Sequence, residues 1–184
     1  SKGGQGGFSG DLAYQYRIPL ISICHGSGGS VSGIRERGHA IFPGGRSSQH
    51  FVDLLGQVPV ISAVMGTAAG GPAGRAVLSH FSVMVRGTSQ IFSSGPPIVE
   101  RALGIKVSKE DLGGAKVAVD LAGTIDNAAE SEEECLAQMR QFLSYMPQNV
   151  WQLPPRQVVD DPPDRRDEAL LDIVPTNRRR SYDM

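Results

Sequence analysis

The chain has 184 residues, 18 Lys/Arg against 19 Asp/Glu and a formal net charge of −1, enough to bury a core as one domain or part of a larger one. Lys/Arg are spread among Asp/Glu up to the tail, which argues against the basic face of a nucleic-acid binder. No apolar run approaches the ~20 residues of a membrane span, and the polar, glycine-rich start does not read as a signal peptide. Cys24 and Cys135 stand far apart, in no metal-type spacing. The reading is reduced thiols in a cytoplasmic setting, with the mitochondrial matrix and a single disulfide as alternatives.

In chain order, residues 1–10 hold five glycines and make a poor helix on propensity. Asp11 to Tyr16 read as one or two helical turns. Pro19 to Cys24 is a short apolar run fit for a buried strand, ending in the turn His25-Gly26-Ser27-Gly28-Gly29-Ser30. A loop follows, then a helix over Ser47 to Leu55 closed by Gly56. Val58 to Met65 is the second strong strand. Gly70-Gly71-Pro72 starts a helix of small residues, with the proline at its first position. Phe81 to Val85 and Gln90 to Phe92 read as two short strands, and Ile98 to Leu103 as a helix stopped by Gly104. Ser108 with Asp111 three residues on resembles a capping box for a short helix. The clearest helix is Glu132 to Tyr145, with Ser131 as N-cap and Glu134 as the reciprocal partner. Its Leu136, Met139, Phe142 and Leu143 recur at helical spacing and should face the core. From Leu153 onward prolines and charges dominate, predicting an extended tail over 153–184. Strands alternating with helices argue for an α/β layered fold.

Chemistry is concentrated at the glycine pair Gly70-Gly71. A strand, a tight turn and a helix start can present bare backbone N–H groups to a developing oxyanion. Packing alone is an equal explanation of the pair, since glycine also lets a strand turn sharply into a close-packed helix. Pro72 has no N–H, so a two-donor hole must use amides at or before Gly71. Gly28-Gly29, after the first strand, repeats the device without a proline or a clean helix. Ligands of open α/β sheets bind at the carboxyl ends of strands, and both pairs sit there. Neither belongs to a dinucleotide fingerprint or a P-loop. His25 is a candidate base, against the more ordinary reading of a hydrogen-bonded loop histidine. His39, His50 and His80 show no metal-type spacing. Ser27 is not in a nucleophile elbow, and Arg178-Arg179-Arg180 reads as a solvated charge run.

Taken together, the segments resemble the carboxyltransferase β subunit of biotin-dependent acyl-CoA carboxylases, the propionyl-CoA and methylcrotonyl-CoA carboxylase group. His25-Gly26-Ser27-Gly28-Gly29 is similar to the family's D-S-G-G turn, and Val58 to Gly71 to its P-x-I-x-x-x-M-G-x-C-A-G-G segment. Ser89 to Val99 is similar to F-x-x-G-P-x-V-I, its double proline leaning toward the methylcrotonyl type. Glu110 to Ala115 is similar to E-E-L-G-G-A, and Phe142 to Asn149 to L-L-S-Y-L-P-x-N. Leu171 to Pro175 with Ser181-Tyr182-Asp183-Met184 is similar to L-D-x-I-V-P…Y-D-M, which leans toward the propionyl type. Departures are His25-Gly26 where the family has Asp, Ser30-Val31 where it has Ala-Arg, and Ala68 where it has cysteine.

The resemblance implies a crotonase-like α/β fold of repeated ββα units. It implies a carboxyltransferase N-domain over 1–152, truncated on its N-terminal side, and a tail over 153–184 leading to an absent C-domain. It also implies an acyl-CoA substrate whose enolate is carboxylated by carboxybiotin carried on a partner, with no metal. Carried over by position, Gly70 and Gly71 would form the oxyanion hole, and Gly28, Gly29, Ala69 and Gly95 would line the acyl-CoA pocket. Implied partners are a biotin carboxylase or biotin carrier subunit and further copies in a homo-oligomer, one supplying the C-domain with its Gly-Ala hole for biotin. Nucleic acid and membrane are not expected. Two other readings are a biotin-independent crotonase-like decarboxylase or hydratase, and a non-catalytic paralogue within a carboxylase assembly.

Overall fold

The computed structural model describes residues 8–26, 35–39 and 45–182. In chain order the elements are α1 (Phe8–Tyr16), β1 (Leu20–Gly26), α2 (Gly45–Leu55), β2 (Val60–Ala69), α3 (Gly71–Val77), β3 (Phe81–Val85), β4 (Gln90–Phe92), α4 (Pro96–Leu103) and α5 (Lys109–Gly113). A π-helical stretch (Lys116–Leu121), β5 (Asn127–Ala129), α6 (Glu132–Ser144) and a 3-10 turn (Glu168–Asp172) follow. All strand pairs are parallel, in the order β1-β2-β3-β5, with β4 joined to the far end of β2. Parallel neighbours need crossovers, and helices fill them, which is what the alternating pattern predicts.

β2 is the spine. It is an almost unbroken apolar run because both of its faces are covered. One face packs under α3, where Val64, Ala68, Met84 and Ile91 meet the small Ala73 and Ala76. The opposite face meets α6 through Ile61, Ala63, Val83, Cys135 and Met139. A third cluster (Ala13, Leu20, Phe51, Leu54, Val58 and Val60) ties α1 and α2 to the start of the sheet. Leu136, Phe142 and Leu143 pack on the α6 side as their spacing predicts, and the Phe81 and Phe142 rings stack at 4.7 Å.

β2 begins two residues later than its apolar run suggests and continues four residues further, through Gly66 to Ala69. The extension exists because β2 changes partner. It pairs with β3 up to Val64↔Met84, then with β4 from Thr67↔Gln90 to Ala69↔Phe92. At the change, the fully buried Ser89 hydroxyl donates to the Val64 carbonyl (2.5 Å) and accepts from the Val85 N–H (3.0 Å). The pairing with β1 slips at the same level, between Cys24↔Val64 and Gly26↔Ala68. Such irregularities bend a strand and re-aim its end.

The caps follow the sequence. Ser108 accepts from the Asp111 N–H (3.0 Å), and Ser131 accepts from the Glu134 N–H (3.1 Å). The Glu134 carboxylate accepts from the Glu130 N–H (2.8 Å), one residue before the cap position, so that box is shifted. Gly104 ends α4 in the left-handed region at φ 70°. Two elements have no clear signature in the sequence, the π-helical stretch and β5. The stretch is fastened by Arg86, which gives two hydrogen bonds to Asp120 (both 3.0 Å) and pairs with Glu130 (3.2 Å). β5 is held by Asp126, which accepts from the N–H and the hydroxyl of the buried Ser82 (both 2.8 Å). Residues 153–182 are exposed apart from Pro175, which is half-buried.

Cys24 and Cys135 are both free and buried, on opposite faces of the sheet. Burial, reinforced by Glu132 and Glu134, pushes the Cys135 thiol up to about 11. A thiol whose pKa is raised on folding keeps its proton longer in the native state, so its contribution to stability is intact below ~9 and lost as pH rises toward 11. At pH 8 both thiols should therefore resist iodoacetamide and become alkylated only on unfolding, as counted by mass spectrometry. Denaturant midpoints should fall between pH 9 and 11, and a Cys135→Ser variant should lose part of that slope.

Candidate functional site

The extended end of β2 delivers Gly70 to the top of the sheet. Gly70 has φ 62° and ψ −118°, a conformation open to glycine and costly for other residues, and it turns the strand into α3 without a connecting loop. Its N–H donates to the Phe92 carbonyl (3.0 Å) and its carbonyl accepts from the Gly74 N–H (2.9 Å). Gly70 is therefore engaged at both backbone groups. Gly71 is the first residue of α3, and an N–H at that position has no carbonyl one turn earlier to satisfy it. Pro72 is the second helical residue, one place later than the sequence reading, and brings no N–H. The exposed amide of the expected pair is thus that of Gly71.

Two clefts flank α3. The first, of about 670 Å³, lies between β1, α2 and α3 and is lined by Cys24, His25, Phe51, Gly71, Pro72 and Arg75, among others. The second, of about 490 Å³, lies between α3, β4 and the π-helical stretch. It is almost wholly apolar, with Gly70, Ala73, Ile91, Phe92, Leu112 and Val117 in its wall. The Gly70-Gly71 turn is where the two meet. Ala69 ends β2, nearly fully buried and paired with Phe92. Gly95 is the N-cap of α4, and a Cβ there would lie 3.4 Å from the Phe92 ring. The structure thus gathers Ala69, Gly70, Gly71 and Gly95 around the end of β2 and Phe92. Gly28 and Gly29 lie outside the described residues.

His25 sits in β1 rather than in a loop, its ring against the backbone of Gly66, where a Cβ would come within 3.0 Å of it. Burial pushes the Cys24 thiol up; the Ser62 hydroxyl beside it and the charge of Arg75 pull more weakly the other way. Ser62 is fully buried, and its hydroxyl lies near that thiol without closing a hydrogen bond. The Thr67 hydroxyl donates to the Gln90 side-chain Oε1 (2.8 Å), and Gln90 Nε2 donates to the Glu110 carboxylate (3.2 Å), linking β2, β4 and α5 just below the turn. The sequence reading passed over Arg75 and Phe92. Phe92 acts through its backbone, which no residue type advertises, and Arg75 is a single cation in a helix of small residues. Among the described residues no group of His, Cys, Asp and Glu is placed to hold a metal ion, and no helix is long and apolar enough to cross a membrane.

Comparison with known proteins gives this arrangement its relatives. The carboxyl transferase domain family matches residues 9–184. The methylmalonyl-CoA decarboxylase subunit alpha of Veillonella parvula is 36% identical over 173 residues, covering 94% of this chain and 33% of that protein. The propionyl-CoA carboxylase carboxyltransferase subunit of Haloferax mediterranei is 34% identical over 175 residues, covering 95% and 33%. The crystal structure of transcarboxylase 12S, a hexamer with hydrolysed methylmalonyl-coenzyme A bound, superimposes with a TM-score of 0.64 at 25% identity, covering 95% of this chain and 34% of that one. The chain spans about a third of the length of these curated relatives. It has the α/β crotonase-like architecture of its structural neighbours, and it belongs to the carboxyl transferase domain family.

Proposed function

We propose that this chain is the acyl-CoA side of a carboxyltransferase in a biotin-dependent acyl-CoA carboxylase, and that it stabilises the enolate of the bound thioester. The observation that carries the reading is the Gly71 N–H at the start of α3, free of a helical partner and opening on the 670 Å³ cleft. Removing the α proton of a thioester places negative charge on its carbonyl oxygen, and a preorganised backbone donor meets that charge without reorganising. The cleft on the other side of α3 gives that turn a largely apolar neighbour. Gly70, tied to Phe92, sets the angle of the Gly71 amide and so positions the donor. The donor set fits an anionic oxygen, because among the described residues no carboxylate lines the first cleft. Carboxybiotin on a partner's carrier would supply the CO₂, and a C-domain from another segment or copy would complete the site around it. Gly28 and Gly29, continuing from the end of β1, would line the acyl-CoA pocket.

The kinship with a methylmalonyl-CoA decarboxylase subunit supports a second reading, in which the same hole serves removal of a carboxylate from a malonyl-type thioester. Turnover separates the two. With propionyl-CoA as substrate in the assembled enzyme, carboxylation should require a biotinylated carrier and cease when avidin sequesters it. Loss of CO₂ from malonyl-CoA at an undiminished rate without any carrier would replace the first reading by the second.

A further inference from the structure

Among the described residues, the first cleft is lined by one permanent cation and no acid. Its ionisable lining residues are Cys24, His25 and Arg75. Arg75 makes no ion pair among the described residues. Its guanidinium carbon lies 5.9 Å from the centre of the Phe51 ring, whose buried face holds it at the wall of the cleft. Arg75 is four residues after Gly71 in α3, so the two lie on one face, about 6 Å apart along the axis. Side chains of a helix lean toward its N-terminus, which carries the guanidinium back toward Gly71. An anion recognised by Arg75 therefore belongs to the part of the ligand next to the carbonyl oxygen.

We propose that Arg75 is a specificity-determining residue that binds the free carboxylate of a malonyl-type thioester, the carboxylated form of the substrate. The inference rests on the reading above, that the cleft takes an acyl-CoA with its thioester oxygen at Gly71. In such a thioester the carboxylate stands one carbon beyond the carbonyl, within a helical turn of the oxyanion donor. Guanidinium and carboxylate match in planar geometry, and no acid among the described lining residues competes for the fork. The uncarboxylated thioester lacks the group and gains nothing from Arg75. The cleft thereby distinguishes the two forms.

Malonyl-CoA and acetyl-CoA differ only in that carboxylate, so calorimetric titration of the assembled enzyme with each is the test. Arg75→Gln should weaken malonyl-CoA binding about tenfold or more, the usual worth of a hydrogen bond to a charged group, and change acetyl-CoA binding less than about twofold. Arg75→Lys should recover part of the loss. Equal weakening of both ligands would overturn the proposal and place Arg75 on the phosphates that both carry. No change for either ligand would overturn it also. If the unaltered enzyme binds neither thioester, the acyl-CoA reading itself falls, and the proposal with it. An unchanged thermal midpoint in Arg75→Gln keeps a folding defect out of the comparison.

Discussion

Gly71→Val is expected to leave the protein folded and to lower carboxyltransferase turnover by about a hundredfold or more, the scale of losing one oxyanion donor. A Cβ at Gly71 meets nothing within 4 Å, and the residue lies outside the left-handed region, so the backbone accepts a side chain. The valine methyls would then stand in the mouth of the 670 Å³ cleft, in front of the amide that the thioester oxygen needs. Thermal unfolding of the variant should lie within a few degrees of the parent, while the rate with saturating acyl-CoA collapses. Near-normal turnover would remove Gly71 from the chemistry. A collapse accompanied by loss of folding would mean that the position serves packing instead.

The largest effect on stability is expected at Gly113→Ala. A Cβ on Gly113 would collide with the carbonyl oxygen of Ile91, and its distance to the Ile91 carbonyl carbon would be 2.8 Å. The obstacle is backbone, so no rotamer change relieves it. Relief requires α5 and β4 to separate, and β4 carries the Phe92 carbonyl that holds the Gly70 N–H. Overpacking a core costs about 1–3 kcal/mol where side chains can adjust. Here the cost should exceed about 4 kcal/mol, because a strand pairing must shift. Urea unfolding should show the midpoint far below the parent's or no cooperative transition. If the variant does fold, acyl-CoA binding should weaken, since the displaced β4 no longer fixes the turn. A midpoint close to the parent's would mean that α5 is free to move from β4.

The elements most legible in the sequence are those whose signals are local. The capping residues Ser108 and Ser131 act within three positions of themselves, and the glycine at 104 marks a helix end by its own φ. The face of α6 follows from apolar spacing alone, although Cys135, the most buried residue on it, is missing from that pattern. Elements made by distant partners were not legible. β2 continues to Ala69 because β4, more than twenty residues later, offers a new edge. β5 is three residues of Asn and Ala, held by Ser82 and Asp126 across the fold. The motif that marks the site came through clearly as a glycine pair, yet the division of labour inside it did not. Which amide is spent and which is spare depends on the Phe92 carbonyl, and only the fold places that atom beside Gly70.

A donor made of main chain has no proton to lose over the range in which proteins work. The Gly71 amide presents the same partial charge at every pH that leaves the fold intact, and its position is fixed by a strand pairing rather than by a side-chain rotamer. Acidity in the medium can alter what approaches this turn or what a partner brings to it, but not the turn's own appetite for negative charge. Any bell-shaped dependence of turnover on pH would therefore report on side chains around the turn or on the incoming groups, and leave the cradle silent.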